Sequence, residues 1–410
     1  MPAPSPRPLA RRLAGTVAHL RGEGRGWTVL ALAVGWFFTL GLRFVVPALL
    51  PAIKADFTVS NASVGAAITV MWITYGVMQF PAGALVDRVG ERRLLVASTL
   101  LAGLGLVGVV ASPSFPLFLL ATGAFGLGTG LYGPARGTVL TRAFPARDGP
   151  AFGAVLATGS LGAALLPAGA TLLAVVAGWR VAIGVTVPAF LATAVVLWRA
   201  IPPRASGTTA RTDGGVPAPV RAVWRAIRTR SVALAVLGAT LMLFTFQGLT
   251  AFLTTFLVEA RGLSEGTAGA LFGLLFLVGA ASQSAGGGLA ERHGYGRVLA
   301  AVTLASVPPL VALPFLENAL ALGLAVVLVG VRLAVAPLSN AYIIALLPAE
   351  IRGTAWGLVR TGFFSIGAFG SVLVGAMADA GLFAEAILVL GGLTAVAGLV
   401  YLFLPPRVPA

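Results

Sequence analysis

Four arginines, Arg43, Arg136, Arg332 and Arg360, lie inside long apolar stretches of this 410-residue chain. A guanidinium group presents paired N–H donors that match a carboxylate or a phosphate. All thirteen acidic residues fall in loops or at the ends of the apolar stretches, so none is placed to neutralise these cations. We therefore expect an anion from outside the chain to bind them; alternatively, they bond to backbone carbonyls and neutral side chains.

Arg43, Arg332 and Arg360 are the main candidates for contact with an anion, because Arg136 lies near the end of its stretch and is interpreted as an interfacial residue. We predict that Arg43 and Arg332 face one shared cavity. Uncharged side chains on neighbouring stretches are expected to complete the binding site, and these are Gln247, Tyr75, Gln79, Gln283 and Asn340.

The composition places these residues in a membrane. Hydrophobic residues make up 58% of the chain and charged residues 10%, with a mean hydropathy of +0.96, well outside the range of a soluble domain. Twelve apolar runs, six before residue 202 and six after residue 230, are long enough to cross a bilayer, which takes about 20 residues. The sequence therefore predicts an all-α integral membrane protein with twelve transmembrane helices.

An internal repeat organises the spans. Residues 83–95 recur in altered form as residues 287–299, an offset of 204 residues, and Gln79 and Gln283 keep the same offset. Duplicated halves are typical of secondary transporters, which bind substrate between them. We predict two pseudo-symmetric six-helix bundles. The expected boundaries are an N-terminal tail at 1–26, bundles at 27–201 and 231–404, a linker at 202–230 and a C-terminal tail at 405–410.

Charge placement predicts the orientation and the partners. If both termini are cytoplasmic, the external segments hold only Lys54, Arg180 and Arg261 as cations, as the positive-inside rule requires. The net charge of +15 could suggest nucleic acid, but it is spread over loops between spans, so topology and anionic lipid explain it better. We expect a monomer in the plasma membrane with no nucleic-acid partner.

The loop after the second span carries the pattern Gly-x-Leu-x-Asp-Arg-x-Gly-x-Arg-Arg, which resembles the major facilitator superfamily over nearly the whole chain. The resemblance implies that family's fold and an inner gate. The implied gating residues are Gly83, Asp87, Arg88, Gly90, Arg92 and Arg93, with Glu291 and Arg292 in the second half. Asp87 would face the start of the eleventh helix near Arg352 and hold the gate shut in the outward-open state. Gly83 and Gly90 would allow close packing and a sharp turn.

Two positions depart from the family's proton-coupled members. Thr122 stands where many of them carry a fourth-span arginine, and Leu166-Pro167 stands where the antiporter signature has Gly-Pro. These positions therefore do not support proton-driven drug export.

The leading functional hypothesis is a secondary active or facilitative transporter of a small anionic solute. The alternatives are an exporter of hydrophobic compounds and, less favoured, a non-transporting receptor or scaffold. No enzyme motif is present, and with no cysteine and two isolated histidines, His19 and His293, we expect neither a metal site nor a cofactor. Because proton relays use Asp, Glu or His at depth, we predict anion exchange or facilitated movement.

Overall fold

The protein is helical throughout the part of the chain that the computed structural model describes, residues 25–144, 149–203 and 220–405. Most of the predicted N-terminal tail, just over half of the predicted linker and most of the predicted C-terminal tail lie outside these residues. The first half contains α1 (Arg25–Ala48), α2 (Leu50–Phe57), α3 (Asn61–Val89), α4 (Glu91–Ala111), α5 (Phe115–Gly130), α6 (Tyr132–Ala143), α7 (Gly149–Gly184) and α8 (Thr186–Ala200). The second half contains α9 (Val220–Ile227), α10 (Arg230–Thr255), α11 (Glu265–His293), α12 (Tyr295–Ala305), α13 (Val307–Ala312), α14 (Ala319–Gly330), α15 (Val335–Leu346), α16 (Arg352–Asp379) and α17 (Phe383–Leu402).

The helices account for the predicted spans. Eleven helical segments in the described residues are long and apolar enough to cross a bilayer, and one of them, Ala151–Ala200, has 50 residues. A straight helix of that length would measure about 75 Å, whereas the hydrocarbon core is about 30 Å thick. Gly178 breaks it with a φ of 81°, a conformation that glycine adopts without steric cost. The segment therefore supplies two crossings, and the predicted twelve-helix fold is confirmed.

The sequence repeat is also a repeat of local structure. Ser60 and Ser264 cap α3 and α11, and each hydroxyl oxygen accepts from the backbone N–H three residues later at 3.2 Å. Gly90 and Gly294 end the same two helices with φ values of 84° and 92°. The 204-residue offset thus preserves both helix boundaries and the sharp turn predicted at Gly90.

The two halves meet along three helix pairs, α3 with α16, α1 with α10 and α7 with α11. Between α3 and α16, the Thr69 hydroxyl donates to the Ala368 carbonyl at 2.9 Å and the Thr361 hydroxyl donates to the Gly76 carbonyl at 3.1 Å. A Cβ at Gly65 would lie only 2.7 Å from the Ser371 carbonyl oxygen, so small residues allow this close crossing.

The two ends of the bundle differ in their contacts. At one end, called the distal end here, Lys54 pairs with Glu259 at 2.5 Å and the Asp379 carboxylate accepts the backbone N–H groups of Asn61 and Ala62, each at 2.8 Å. These contacts join the first half of the chain to the second. The opposite end, called the motif end, carries the two repeated loops around Gly90 and Gly294.

Candidate functional site

Arg43 lies on α1 among aromatic rings. Its side chain is 1% exposed, and its guanidinium carbon lies 4.4 Å from the centre of the Tyr75 ring, 5.2 Å from Trp36 and 5.4 Å from Trp72. Its Nε donates to the Thr39 carbonyl one turn earlier at 3.1 Å. The ring faces stabilise the cation, and its Nη2 has no hydrogen-bond partner.

Arg136 on α6 belongs to the same cluster. Its guanidinium carbon lies 4.0 Å from the Trp36 ring centre, so Trp36 contacts both Arg43 and Arg136. Trp36 also stacks on Tyr132, one helical turn before Arg136, at 5.9 Å. Arg136, interpreted from the sequence as an interfacial residue, therefore contacts α1 through Trp36 from the first turns of α6, which begins after the break at Leu131.

Arg360 brings the second half of the chain to this cluster. It lies on α16 between Trp356 and Phe364, one turn away on either side, with ring distances of 5.7 and 5.6 Å. Phe364 packs edge-on against Tyr75 at 4.9 Å. Arg360 interacts electrostatically with Arg43 and with Arg136. We call Arg43, Arg136, Arg360 and Tyr75 the arginine cluster.

The arginine cluster has unused hydrogen-bond donors. The buried atoms without a partner include Arg43 Nη2, Arg136 Nε and Nη1, and Arg360 Nε. Within the described residues, the ion pairs join Lys54 to Glu259, Arg142 to Glu91 and Arg180 to Asp56, and none reaches the cluster. Three positive charges at one place without an acid are electrostatically unfavourable, and a bound anion would relieve both the repulsion and the missing bonds.

Aromatic rings from both halves surround the arginine cluster. Trp72 stacks on Phe364 with 6.0 Å between centroids and an interplanar angle of 7°. On the other side of Trp72, Phe44 contacts Phe276 at 4.4 Å and Phe246 at 5.9 Å. The site is therefore a set of cations within an apolar, aromatic wall contributed by α1, α3, α10, α11 and α16.

Arg332 lies elsewhere. It sits on a 3₁₀ segment between α14 and α15, is 2% exposed, and donates through Nη2 to the Thr245 hydroxyl of α10. Its Nη2 also lies 3.5 Å from the Met242 carbonyl oxygen. The cationic neighbours of Arg43 are Arg136 and Arg360, so the predicted pairing of Arg43 with Arg332 is not the arrangement in this structure.

The neutral candidates differ in their surroundings. Gln79 is buried and its amide donates to the Gly130 carbonyl at 3.1 Å, while Gln283 and Asn340 are half-buried. Gln247, the repeat partner of Arg43, is fully buried, and neither atom of its amide has a partner. Tyr75 belongs to the arginine cluster, and Gln247 is the amide with the most unused bonding capacity.

The gating residues lie at the motif end. Asp87, Arg88, Arg93, Glu291 and Arg292 are exposed. Instead of joining a charge network, the guanidinium of Arg92 lies 4.0 Å from the Trp198 ring centre. A Cβ at Gly83 would meet no atom within 4 Å, so the expected close packing at Gly83 is absent from this structure.

Next to the first motif, Glu91 forms an ion pair that the sequence analysis missed. Glu91 begins α4 and is buried, and both of its carboxylate oxygens accept from Nη1 of Arg142 at 2.9 Å. The pair ties the start of α4 to the end of α6, the helix that carries Arg136. Neither residue is near the other in sequence, so only the packing of α4 against α6 reveals the pair.

One sequence signal could have identified the whole arginine cluster. Each of its arginines has an aromatic residue on the same helical face, four or seven positions away: Trp36 for Arg43, Tyr132 for Arg136, and Trp356 and Phe364 for Arg360. Arg332 has no aromatic residue at these spacings.

Comparison with known proteins gives a consistent family. A family model described as Major Facilitator Superfamily matches residues 31–336. Over 347 residues the chain is 26% identical to YfnC, an uncharacterized MFS-type transporter of Bacillus subtilis (strain 168), with 83% of each chain covered. A shorter match of 27% over 132 residues, covering 32% of this chain and 29% of the relative, is to a probable hexose phosphate transport protein of Chlamydia muridarum.

The fold also matches solved structures. A bacterial homolog of the human lysosomal transporter Spinster, in an inward-facing and occupied conformation, superposes with a TM-score of 0.75 at 17% identity, covering 92% of this chain and 96% of that one. The unoccupied inward-facing form of that homolog gives a TM-score of 0.76.

Proposed function

Because the chain belongs to the Major Facilitator Superfamily of membrane transporters, we propose that its solute is a small anion, moved by alternating access of the two six-helix bundles. The solute binds at the arginine cluster, where guanidinium groups from the first half meet Arg360 of the second half. The observation that carries the proposal is the unpartnered N–H groups of three neighbouring arginines that have no acid among the described residues. A site shared by both halves can be exposed to each side of the membrane in turn.

The contacts at the distal end support an inward-facing assignment for this conformation. Lys54–Glu259 and the bonds from Asn61 and Ala62 to Asp379 close that end. With both termini cytoplasmic in the plasma membrane, the distal end is external. The solute then reaches the arginine cluster from the motif end, after α3 and α16 separate enough to uncover Arg43.

The direct test is ligand binding to the purified protein. A ligand that binds the folded state raises its unfolding temperature by mass action. We expect stabilisation by some members of a panel of organic acids, phosphate esters and inorganic anions, and loss of that effect in Arg43→Gln and Arg360→Gln. Arg332→Gln is the matched control, since it also removes a buried arginine. No stabilisation by any anion, or stabilisation that is fully retained in Arg43→Gln and Arg360→Gln, would refute the proposal.

A second candidate function rests on the aromatic wall. Phe44, Trp72, Phe246, Phe276 and Phe364 would also suit a hydrophobic compound, as in an exporter of drugs or metabolites. In that case uncharged aromatic compounds would stabilise the wild-type protein, and Arg43→Gln would retain the effect. The same panel therefore separates the two functions when neutral compounds are included.

A further inference from the structure

We infer that the solute binds through one headgroup carrying two negative charges, as in a phosphate monoester. This inference rests on the proposed anion site and names the class of anion. A singly charged solute would leave two of the three guanidinium charges of Arg43, Arg136 and Arg360 uncompensated inside a low-dielectric wall. Because a desolvated charge without a counter-charge is costly, the site favours the anion that cancels more of that charge.

The three arginines of the cluster are neighbours. Arg43 and Arg136 share the Trp36 ring, at 5.2 and 4.0 Å from its centre, so their guanidinium carbons cannot be farther apart than the sum of these distances. Arg360 interacts electrostatically with both, and all three arginines interact with Tyr75. We therefore place one headgroup among these three arginines, whereas two carboxylates on an extended chain would need separate sites.

The donors also match a tetrahedral oxyanion. The unpartnered atoms Arg43 Nη2, Arg136 Nε, Arg136 Nη1 and Arg360 Nε come from three helices. A phosphate monoester offers three terminal oxygens, each able to accept more than one hydrogen bond, while a carboxylate offers two oxygens in one plane. Guanidinium N–H groups pair well with phosphate oxygens, so separate donors from three helices suit the three-oxygen group better than the two-oxygen group.

A matched pair of probes tests the charge requirement. Phenyl phosphate and phenyl sulfate have nearly the same shape, and both present three terminal oxygens. Phenyl sulfate carries one charge, and phenyl phosphate carries two above its second pKa of about 6. We expect calorimetry on the wild-type protein in lipid nanodiscs at pH 8 to give a Kd for phenyl phosphate at least about tenfold lower, a difference of about 1.4 kcal/mol.

The dependence on pH and on Arg136 completes the test. At pH 5 phenyl phosphate is largely singly charged, so its advantage over phenyl sulfate should disappear; phenyl sulfate, whose charge is constant, reports any effect of pH on the protein. Arg136→Gln should weaken phenyl phosphate binding about tenfold and phenyl sulfate binding much less, whereas Arg332→Gln should change neither.

The outcomes separate this inference from the proposed function. If phenyl sulfate binds as tightly as phenyl phosphate at pH 8, the two-charge headgroup is refuted while the anion site stands. If neither probe nor any other anion binds, both proposals fail. The wild-type comparison needs no variant, so a failure of Arg136→Gln to fold would leave that result intact.

Discussion

A guanidinium inside a membrane is stable only where other groups compensate its charge. The buried arginines of this protein differ in the groups that surround them. Arg43 is surrounded by Trp36, Trp72 and Tyr75, whereas Arg332 donates to the hydroxyl of Thr245. Ring faces attract a cation without accepting its N–H bonds in the plane. Arg43 therefore retains Nη2 for a ligand. Arg332 also keeps Nε and Nη1 without partners, but Arg43 has Arg360 as a cationic neighbour and Arg332 does not lie in the arginine cluster.

Replacement of Arg43 or Arg360 by Gln should weaken anion binding by about 2 kcal/mol, the usual value of a charge-assisted hydrogen bond. Titration of the same anion into wild type, the two variants and Arg332→Gln measures this loss of binding free energy. A loss in Arg332→Gln as large as that in Arg43→Gln would instead place Arg332 in the binding site.

Replacing Arg142 should destabilise the protein more than replacing Glu91, its partner in the ion pair. The side chain of Glu91 is 4% exposed, and that of Arg142 is 46% exposed. Arg142→Gln leaves a buried carboxylate without a counter-ion, so we expect a loss of about 3 kcal/mol in stability. Glu91→Gln leaves a guanidinium that water can reach, and the loss should be about 1 kcal/mol. Denaturation in detergent ranks the variants, and an equal or reversed order would contradict the explanation.

Among the helices, α3 and α16 form the most extensive contact between the two halves. At the distal end Asp379, the last residue of α16, accepts from the first N–H groups of α3. These groups have no partner within their own helix, and the helix dipole adds to the attraction for a carboxylate. Asp379 is therefore a cap provided by the opposite half of the chain.

Asp379→Asn should shift the population toward distal-open states while leaving the protein folded, because a neutral amide accepts these bonds more weakly. The chain has no cysteine, so Ala55→Cys and Glu317→Cys can be spin-labelled without removing native thiols. We expect longer distances between these labels in Asp379→Asn. Distances identical to those in the unsubstituted labelled protein would show that the cap does not hold this end closed.

The gate at the motif end should respond in the opposite sense. Asp87→Asn, and more weakly Glu291→Gln, should favour inward-open states, since each carboxylate is proposed to cap a helix of the opposite half when that end closes. Labels across the motif end should then move apart under conditions in which wild type closes. Unchanged distances between these labels would show that Asp87 does not hold the motif end closed. Its charge would then serve only to orient the chain in the membrane.

For the molecule as a whole, the absence of a deep carboxylate is the basis for predicting its energy coupling. Among the described residues, Glu91 is the only buried acid, and it is paired with Arg142 at the motif end. Glu259 and Asp379, which the hydropathy pattern places at span ends, form contacts at the distal end: Glu259 pairs with Lys54, and Asp379 accepts from the backbone of Asn61. Neither is placed to carry a proton to the arginine cluster.

We therefore expect uptake into proteoliposomes to follow the gradient of the solute, or exchange for a second anion, without tight proton entry. A pH-sensitive dye inside the vesicles checks this. Proton entry that is coupled to uptake and disappears in Glu259→Gln or Asp379→Asn would overturn the prediction. Proton entry in both variants, but only with protonatable solutes, would indicate that the solute itself carries the proton.

The sequence predicts the fold of this molecule far better than its binding site. Hydropathy predicts the twelve helices, and the repeat that pairs Gly90 with Gly294 predicts two related halves. Both signals can be read from the sequence without knowing which helices pack together. The site depends on which helices meet: Arg136 of α6 contacts Trp36 of α1, and Arg332 contacts Thr245 of α10. Spacing along a single helix identifies the arginines that have an aromatic neighbour, but it does not show which helices they contact.

The position of Trp36 makes it a natural optical reporter. Its indole is 7% exposed and lies against both Arg43 and Arg136. Indole emission responds to the electric field and to quenching by nearby groups, and an anion arriving between these arginines would change both. With seven tryptophans in the chain, the difference between wild type and Trp36→Phe would isolate this signal. The protein could thus report occupancy of its own site in real time, without an added label.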